Sequence, residues 1–405
     1  MTDRVFEGLK VLDFCWVIVG PMTTRFLADH GATVVRVEST GKLDYLRASA
    51  PFKDNQPGIN RSLFYNEVNT SKLSLGLNMK HPAAASVVRR LIERWQPDLL
   101  TESFGVGVME SWGLDYESVR RIRPDIVYFS STQFGQTGPF ARYSGFGNVG
   151  AAISGLTNVT GWPDGAPVGA YGALPDMTNP PLGITAILAA LDYRERTGKG
   201  QRIDLAQAEG FLHYFAPAFL DYSANGRVVR RRGNFDDAAC PHGVFPAAGT
   251  ERWFAIAIQS DEEWLALAAA IGEEWAGDAR FATFAGRRAN EEELERRLGE
   301  WTQGQDAWAL MDSLQAARVA AAVVNSPLDL VRDPHLLESF FVEVEHPELG
   351  AVLQEGQHFN LCETPAQMRR APLLGEHNLF VLRELAGYTE EEIADQIAAG
   401  LVESP

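Results

Sequence analysis

Apolar positions in the first third of the chain fall into two periods that take turns. Residues 9–14 (LKVLDF) and 32–37 (ATVVRV) are short apolar runs that predict buried strands. Between them, Pro21 to Asp29, opened by Gly20-Pro21, predicts a helix, so the three form a βαβ unit. Residues 73–78 (LSLGLN) alternate with period two as a strand. His81-Pro82 then opens an amphipathic helix through Val87, Val88, Leu91 and Ile92, and residues 98–101 and 125–130 predict two further strands. Strands alternating with helices predict an α/β fold with a mostly parallel, Rossmann-like sheet covered on both faces. In such sheets ligands lie beyond the carboxyl ends of the strands, so a site is expected among Trp16–Gly20, Ser39–Arg47, Leu77–Lys80, Glu102–Gly107 and Thr132–Gly138. The helix opening near Pro21 offers unpaired N–H groups there, and Arg36, Lys42 and Arg47 read either as solvated surface charge or as a cluster that meets phosphates.

A further helix is marked at 180–197. Asn179 is placed to cap it, Pro180 suits its first position, Ile184, Ile187, Leu188 and Leu191 predict its apolar face, and Gly198 its stop. Asp176 stands just ahead of it. A carboxylate there is expected to be kept ionised by the helix dipole and free N–H groups, which makes Asp176 a candidate nucleophile; the alternative is a residue that only caps or turns the chain. Gly145, Gly147 and Gly150 match the GxGxxG spacing, but no strand directly precedes them and position 170 is Ala. They read as helix packing or a turn, with dinucleotide binding the poorer alternative.

From Arg230 the pattern changes to loop signals, an apolar strand at 252–259, a helix with Asp261 as its cap, Glu-rich helices near 291–300 and 305–316, and the strand VAAAVVN. A smaller α+β domain is therefore placed at 225–330, between a large domain at 1–224 and a return to it at 331–405.

Composition adds exclusions. A net charge of −17 argues against nucleic acid or an anionic membrane as partner. Cys15, Cys240 and Cys362 are far apart with no CxxC, and the histidines show no ligand spacing, so neither a disulfide framework nor a metal is expected. The charged N-terminus MTDRVFEGLK lacks a signal-peptide core, and a cytoplasmic location is expected.

Blocks spanning most of the chain resemble the family III CoA-transferases, which include formyl-CoA transferase and carnitine CoA-transferase. They are GLKVLDFCWVIVGP (8–21), LADHGATVVRVES (27–39), NTSKLSLGLNMKHP (69–82), FGQTGP (134–139), the Asp176 segment with RERTGKGQRIDLAQAE, and APLLGEHNLFVLRELAGYTEEEI (371–393). The resemblance implies a Rossmann-like large domain and a small domain in an interlocked dimer, either a homodimer or a heterodimer with a homologous subunit. It also implies that Asp176 attacks the acyl-CoA thioester to give a mixed anhydride and then an aspartyl-CoA thioester. No cofactor is permanently bound; coenzyme A thioesters are substrates. Leu77, Asn78 and Lys80 match a CoA-binding segment, and Ser103, Phe104 and Gly105 another in which Ser103 replaces Asn. Val19 and Gly135, in matched blocks, and Arg36 and Arg47 complete the expected CoA contacts. Ile18 stands where formyl-CoA transferase has a glutamine, which implies an acceptor other than formate or oxalate.

VIVGPMTTRFLADHG and FGNVGAAISGL resemble the benzylsuccinate CoA-transferase branch, with succinyl-CoA as donor and an aromatic or substituted succinate as acceptor. Trp16, Phe146, Trp162, Tyr171 and Phe245 are candidate acyl-pocket aromatics, the alternative for each being a place in the core. The acyl-CoA racemases of the family pair the aspartate with a histidine; here Phe146 occupies that stretch, which disfavours racemisation. A non-catalytic partner subunit is the remaining alternative.

Overall fold

The computed structural model describes residues 4–404; Met1, Thr2 and Asp3 of the charged N-terminus, and Pro405, lie outside the described residues. The chain separates into two compact units, one of Met1–Val159, Val168–Val229 and Phe340–Pro405, the other of Thr160–Pro167 and Arg230–Ser339. Residues 160–167 thus group with the second unit, and that unit runs past 330 to 339.

The first unit is built on a six-stranded parallel sheet of β1 (Lys10–Phe14), β2 (Thr33–Glu38), β3 (Leu73–Gly76), β4 (Leu99–Glu102), β5 (Val127–Thr132) and β6 (Arg202–Ala206), in the order β3-β2-β1-β4-β5-β6. Alternation along the strands assigns the two faces. Val11, Val34, Leu99 and Phe129 pack with Leu27 of α1 (Val19–Asp29) and with Ile187 further along the chain. Leu12, Val35, Leu75 and Leu100 pack on the other side with Val87 and Leu91 of α2 (Ala84–Trp95). β6 has no counterpart in the hydrophobic pattern because RIDLA is an edge strand without a buried residue.

Between β5 and β6 lie α3 (Gly147–Ile153), α4 (Leu174–Thr178) and α5 (Pro180–Thr197), followed after β6 by α6 (Gln207–Leu212) and α7 (Ala216–Asn225). α5 starts and stops where Pro180 and Gly198 predict, with Gly198 at φ 70° and its N–H on the Arg194 carbonyl. Two local expectations fail. The buried face of α5 is Pro180, Gly183, Ile187 and Ala190, with Leu188 exposed. Asn179 makes no cap; its amide donates instead to the carbonyls of Pro175 (2.7 Å) and Gln207 (3.0 Å).

The second unit holds an antiparallel sheet of β7 (His242–Pro246), β8 (Trp253–Ala257) and β9 (Ala320–Val324) with α8 (Asp261–Ile271), α9 (Glu291–Thr302) and α10 (Ala307–Ala316) around a core of Phe254, Trp264, Leu294 and Leu314. Ser260, not Asp261, caps α8. The chain re-enters the first unit through a hairpin of β10 (Phe341–His346) and β11 (Gly350–Glu355). It ends on α11 (Glu390–Ala398), whose Thr389 and Glu392 form a capping box. Among the described residues no helix is long and apolar enough to cross a membrane.

Candidate active site

β1 pairs with both β2 and β4, so the loops leaving their carboxyl ends diverge at the point where the strand order reverses. A cleft of about 270 Å³ opens there. It is lined by Trp16–Val19 after β1, Ser103–Gly105 after β4, Ser131–Gln133 at the carboxyl end of β5, and Tyr143, Phe146 and Asp176. The first two loops are tied directly, since the Trp16 N–H donates to Ser103 Oγ at 2.7 Å and the Trp16 ring meets Phe104 edge-on at 5.2 Å. Val17 has φ 67°, a conformation unfavourable for a β-branched residue. Its N–H is held at 3.2 Å by both oxygens of Asp44, and Asp44 is in turn held by Arg36.

Asp176 sits at the floor of this cleft. It stands ahead of α5, as expected, and lies within the first turn of the one-turn helix α4, with its N–H on the Ala173 carbonyl at 2.8 Å. Asp176 is 4% exposed, and its Oδ1 finds no hydrogen-bond partner. Burial raises its pKa to about 6, and the Gly147 N–H opposes that only in part. The expectation that a helix terminus holds the group ionised is thus corrected: desolvation is the larger effect, although the carboxylate still predominates at neutral pH. α3 approaches this closely because its contact positions are glycines. A Cβ on Gly147 would lie 2.5 Å from Asp176 Oδ1, and one on Gly150 2.5 Å from Gln133 Nε2. The GxGxxG spacing therefore serves close packing, as expected.

Of the residues expected to contact CoA, the structure brings Val19, Ser103, Phe104 and Gly105 into the cleft with Asp176. The others stand elsewhere, and two are corrections. Arg36 and Arg47 are fully buried. The Arg36 guanidinium donates to Asp44 and the Cys15 carbonyl; that of Arg47 is shared between Glu38 (2.7 and 2.9 Å), Asn60 and Tyr65. Burial opposes ionisation of Glu38, but Arg47 and Arg36 outweigh it and hold its pKa at about 2. These arginines brace the loops behind the cleft and have no face for a phosphate. Leu77 is core, bridged to Val402, and the Asn78 N–H is bound to the Leu401 carbonyl; only Lys80 of that segment is exposed. Gly135 is buried at φ 75°, its Cβ position against Ala206 and Asp204, so it shapes the turn after β5. Of the candidate pocket aromatics, Trp16 and Phe146 line the cleft; Tyr171 is fully exposed, and Trp162 and Phe245 belong to the second unit. Gln133, Tyr143 and Gln207 line the cleft without having been singled out. Gln133 had a usable signal, a large amide directly ahead of the turn FGQTGP, at the carboxyl end of a strand.

The match to known proteins is extensive. Residues 6–378 fit the model of CoA-transferase family III. The chain belongs to this family. It is 30% identical to succinyl-CoA–D-citramalate CoA-transferase of Chloroflexus aurantiacus, over 96% of both chains, and 32% identical to succinate–glutarate CoA-transferase of Agrobacterium fabrum, over 94% of this chain and 95% of that one. A CaiB/BaiF family protein from Brucella suis superposes with a TM-score of 0.86 at 29% identity, covering 95% of this chain and all of that one. This family III protein is a CoA-transferase, and acyl-CoA and carboxylate substrates fit the family.

Proposed function

We propose that this CoA-transferase moves CoA from succinyl-CoA to a free carboxylic acid of the aromatic or substituted-succinate type, with Asp176 as covalent intermediary. One observation carries the reading: a buried carboxylate with an unpartnered Oδ1 faces the cleft at the sheet's switch point. In each exchange an Asp176 oxygen bonds to the acyl carbon, the carbonyl π pair moves onto the acyl oxygen, and its return breaks the C–S bond, leaving a mixed anhydride and CoA thiolate. The thiolate then attacks the aspartyl carbonyl of the anhydride. That expels the acyl group as free carboxylate and leaves aspartyl-CoA, which the acceptor carboxylate opens by the same steps in reverse. The succinyl and dicarboxylate names of the relatives support the donor and acceptor class. The aromatic walls Trp16, Phe104, Tyr143 and Phe146 favour an acceptor with an apolar body, in keeping with the benzylsuccinate-type resemblance. Val19, Ser103, Phe104 and Gly105 hold the thioester end of CoA. The protein works in the cytoplasm as a dimer, homomeric or paired with a homologous chain.

Racemisation needs a base on each face of the substrate, and among the residues lining the cleft Asp176 is the only carboxylate and none is histidine. The decisive test is Asp176→Asn. It should abolish turnover between succinyl-CoA and a panel of free acids, while the wild type incubated with succinyl-CoA and then hydroxylamine yields a hydroxamate on the Asp176 peptide. Full turnover by the Asn variant would remove the nucleophile assignment, whereas no turnover by the wild type with any of the acids would favour a non-catalytic partner subunit.

A further inference from the structure

Gln133 is 5% exposed, yet neither end of its carboxamide makes a hydrogen bond within the chain. A buried amide left this way costs about 1–3 kcal/mol, so its retention at a cleft wall calls for a use. The other polar groups nearby are mostly committed. Gln207 Nε2 donates to Ser131 Oγ at 3.1 Å, and Ser103 Oγ accepts from Trp16. Thr132 Oγ1 is also unpartnered, but the glycine contacts single out Gln133 as the side chain that shares the α3 face with Asp176. Asp176 Oδ1 abuts Gly147 and Gln133 Nε2 abuts Gly150, positions three residues apart on one helix face, whose Cβ sites lie about 5–6 Å from each other. Both groups therefore meet neighbouring positions of α3, and a carbonyl attacked by the first lies on the same helix face as the second.

We infer that the Gln133 amide N–H holds the acyl oxygen of the substrate over Asp176 and receives the charge that develops on it in the two steps at the substrate acyl carbon, donor thioester to anhydride and acceptor anhydride to thioester. This rests on Asp176 as the acyl-accepting group. The donor acts where charge appears: when the Asp176 oxygen bonds to the acyl carbon, the carbonyl pair moves onto the oxygen facing Gln133, and when CoA thiolate departs the pair returns. Because the site is desolvated, a single positioned donor contributes strongly to the transition state and little to binding of the rest of CoA.

The test compares wild type, Gln133→Met and Gln133→Glu with succinyl-CoA and a free acid, together with binding of free CoA and thermal unfolding. Gln133→Met keeps the length and removes the donor. It should lower kcat about 10²–10³-fold, leave the Kd for free CoA unchanged, slow hydroxamate formation at Asp176 in single turnover, and leave Tm equal or higher, because an unpartnered buried amide is replaced by an apolar group. Gln133→Glu keeps the shape and replaces the donor with a second carboxylate. It should be at least as impaired, and increasingly so as pH rises. Near wild-type kcat in either variant overturns the inference, as does a loss in kcat that travels with a lower Tm and weakened CoA binding, which would make Gln133 a packing residue. If Gln133→Met does not fold, Gln133→Glu decides alone. The two readings fail separately: absence of a hydroxamate in the wild type removes the Asp176 chemistry, whereas a normal wild-type adduct with unaffected Gln133 variants removes only the role of Gln133.

Discussion

At pH 7 Asp176 is ionised with only about one pH unit in hand, because its burial raises the carboxyl to about 6. In the proposed role of nucleophile it must be deprotonated, so kcat/KM should fall about tenfold per pH unit below 6, whereas an exposed aspartate would stay active to about pH 4. The same shift bears on stability. A carboxyl whose folded pKa is raised binds its proton better folded than unfolded, so its contribution is fully present below the unfolded value near 4 and is lost as pH rises through 6. At pH 7 ionised Asp176 costs the fold on the order of 3 kcal/mol. Asp176→Asn, neutral at every pH, should therefore be the more stable protein in urea unfolding at pH 7.5, with the difference vanishing toward pH 4; equal stability at pH 7.5 would show that the carboxylate is better solvated than its surroundings indicate. Family blocks in the sequence made Asp176 legible, but not the sign of its shift. Proximity to a helix start favours ionisation, and only the packing of Gly147 and Ala173 against it shows that desolvation prevails. Arg36 and Arg47 misled for the converse reason. Nothing local in a strand-end cluster of cations distinguishes a phosphate site from a buried network, and their carboxylate partners Glu38 and Asp44 were present in the same stretch without a periodicity to mark them.

Among the elements, α3 and α4 determine the site because they meet across glycine. Gly147→Ala would place a methyl 2.5 Å from Asp176 Oδ1 and 2.6 Å from the Ala173 Cβ. Either α3 retreats or the carboxylate turns. Overpacking of this kind costs about 1–3 kcal/mol, so the variant should fold with a lowered Tm, and, on the proposed role of Asp176, its displacement by about 1 Å should cost about a hundredfold in kcat. Steady-state turnover alongside thermal unfolding checks this, and a Gly147→Ala enzyme with wild-type kcat would mean that α3 does not set the position of Asp176. The sheet itself was legible strand by strand, since buried parallel strands read as continuous apolar runs that begin and end within a residue or two of their hydrogen-bonded limits. β6 and α4 were not. The first is an edge strand with no buried residue, and the second is a single turn too short to show a period.

At the scale of the whole molecule, the first unit carries apolar surface that its own fold does not cover. α7 contains no buried residue, yet presents Phe219, Leu220 and Tyr222 at 50–60% exposure, and Leu212 and Tyr214 are exposed just ahead of it in sequence. A ten-residue helix has little stability alone in water and persists by packing an apolar face. At roughly 25 cal/mol per Å², large side chains left in solvent along it forgo several kcal/mol that a second chain would recover. Large exposed apolar patches on a protein mark interaction sites. The protein should therefore sediment at twice the 44.5 kDa of its chain at micromolar concentration, with no need of a second gene product if the dimer is homomeric. Placing a charge on α7, as in Phe219→Glu or Leu220→Glu, should shift it to a 44.5 kDa species or to insoluble material, while Leu265→Glu, an exposed apolar position in the second unit, should not. A single-chain species for the wild type across a hundredfold concentration range would show that this surface is covered by a different protein or by none. Recovery of the dimer only after co-expression with a homologous subunit would assign the heteromeric form.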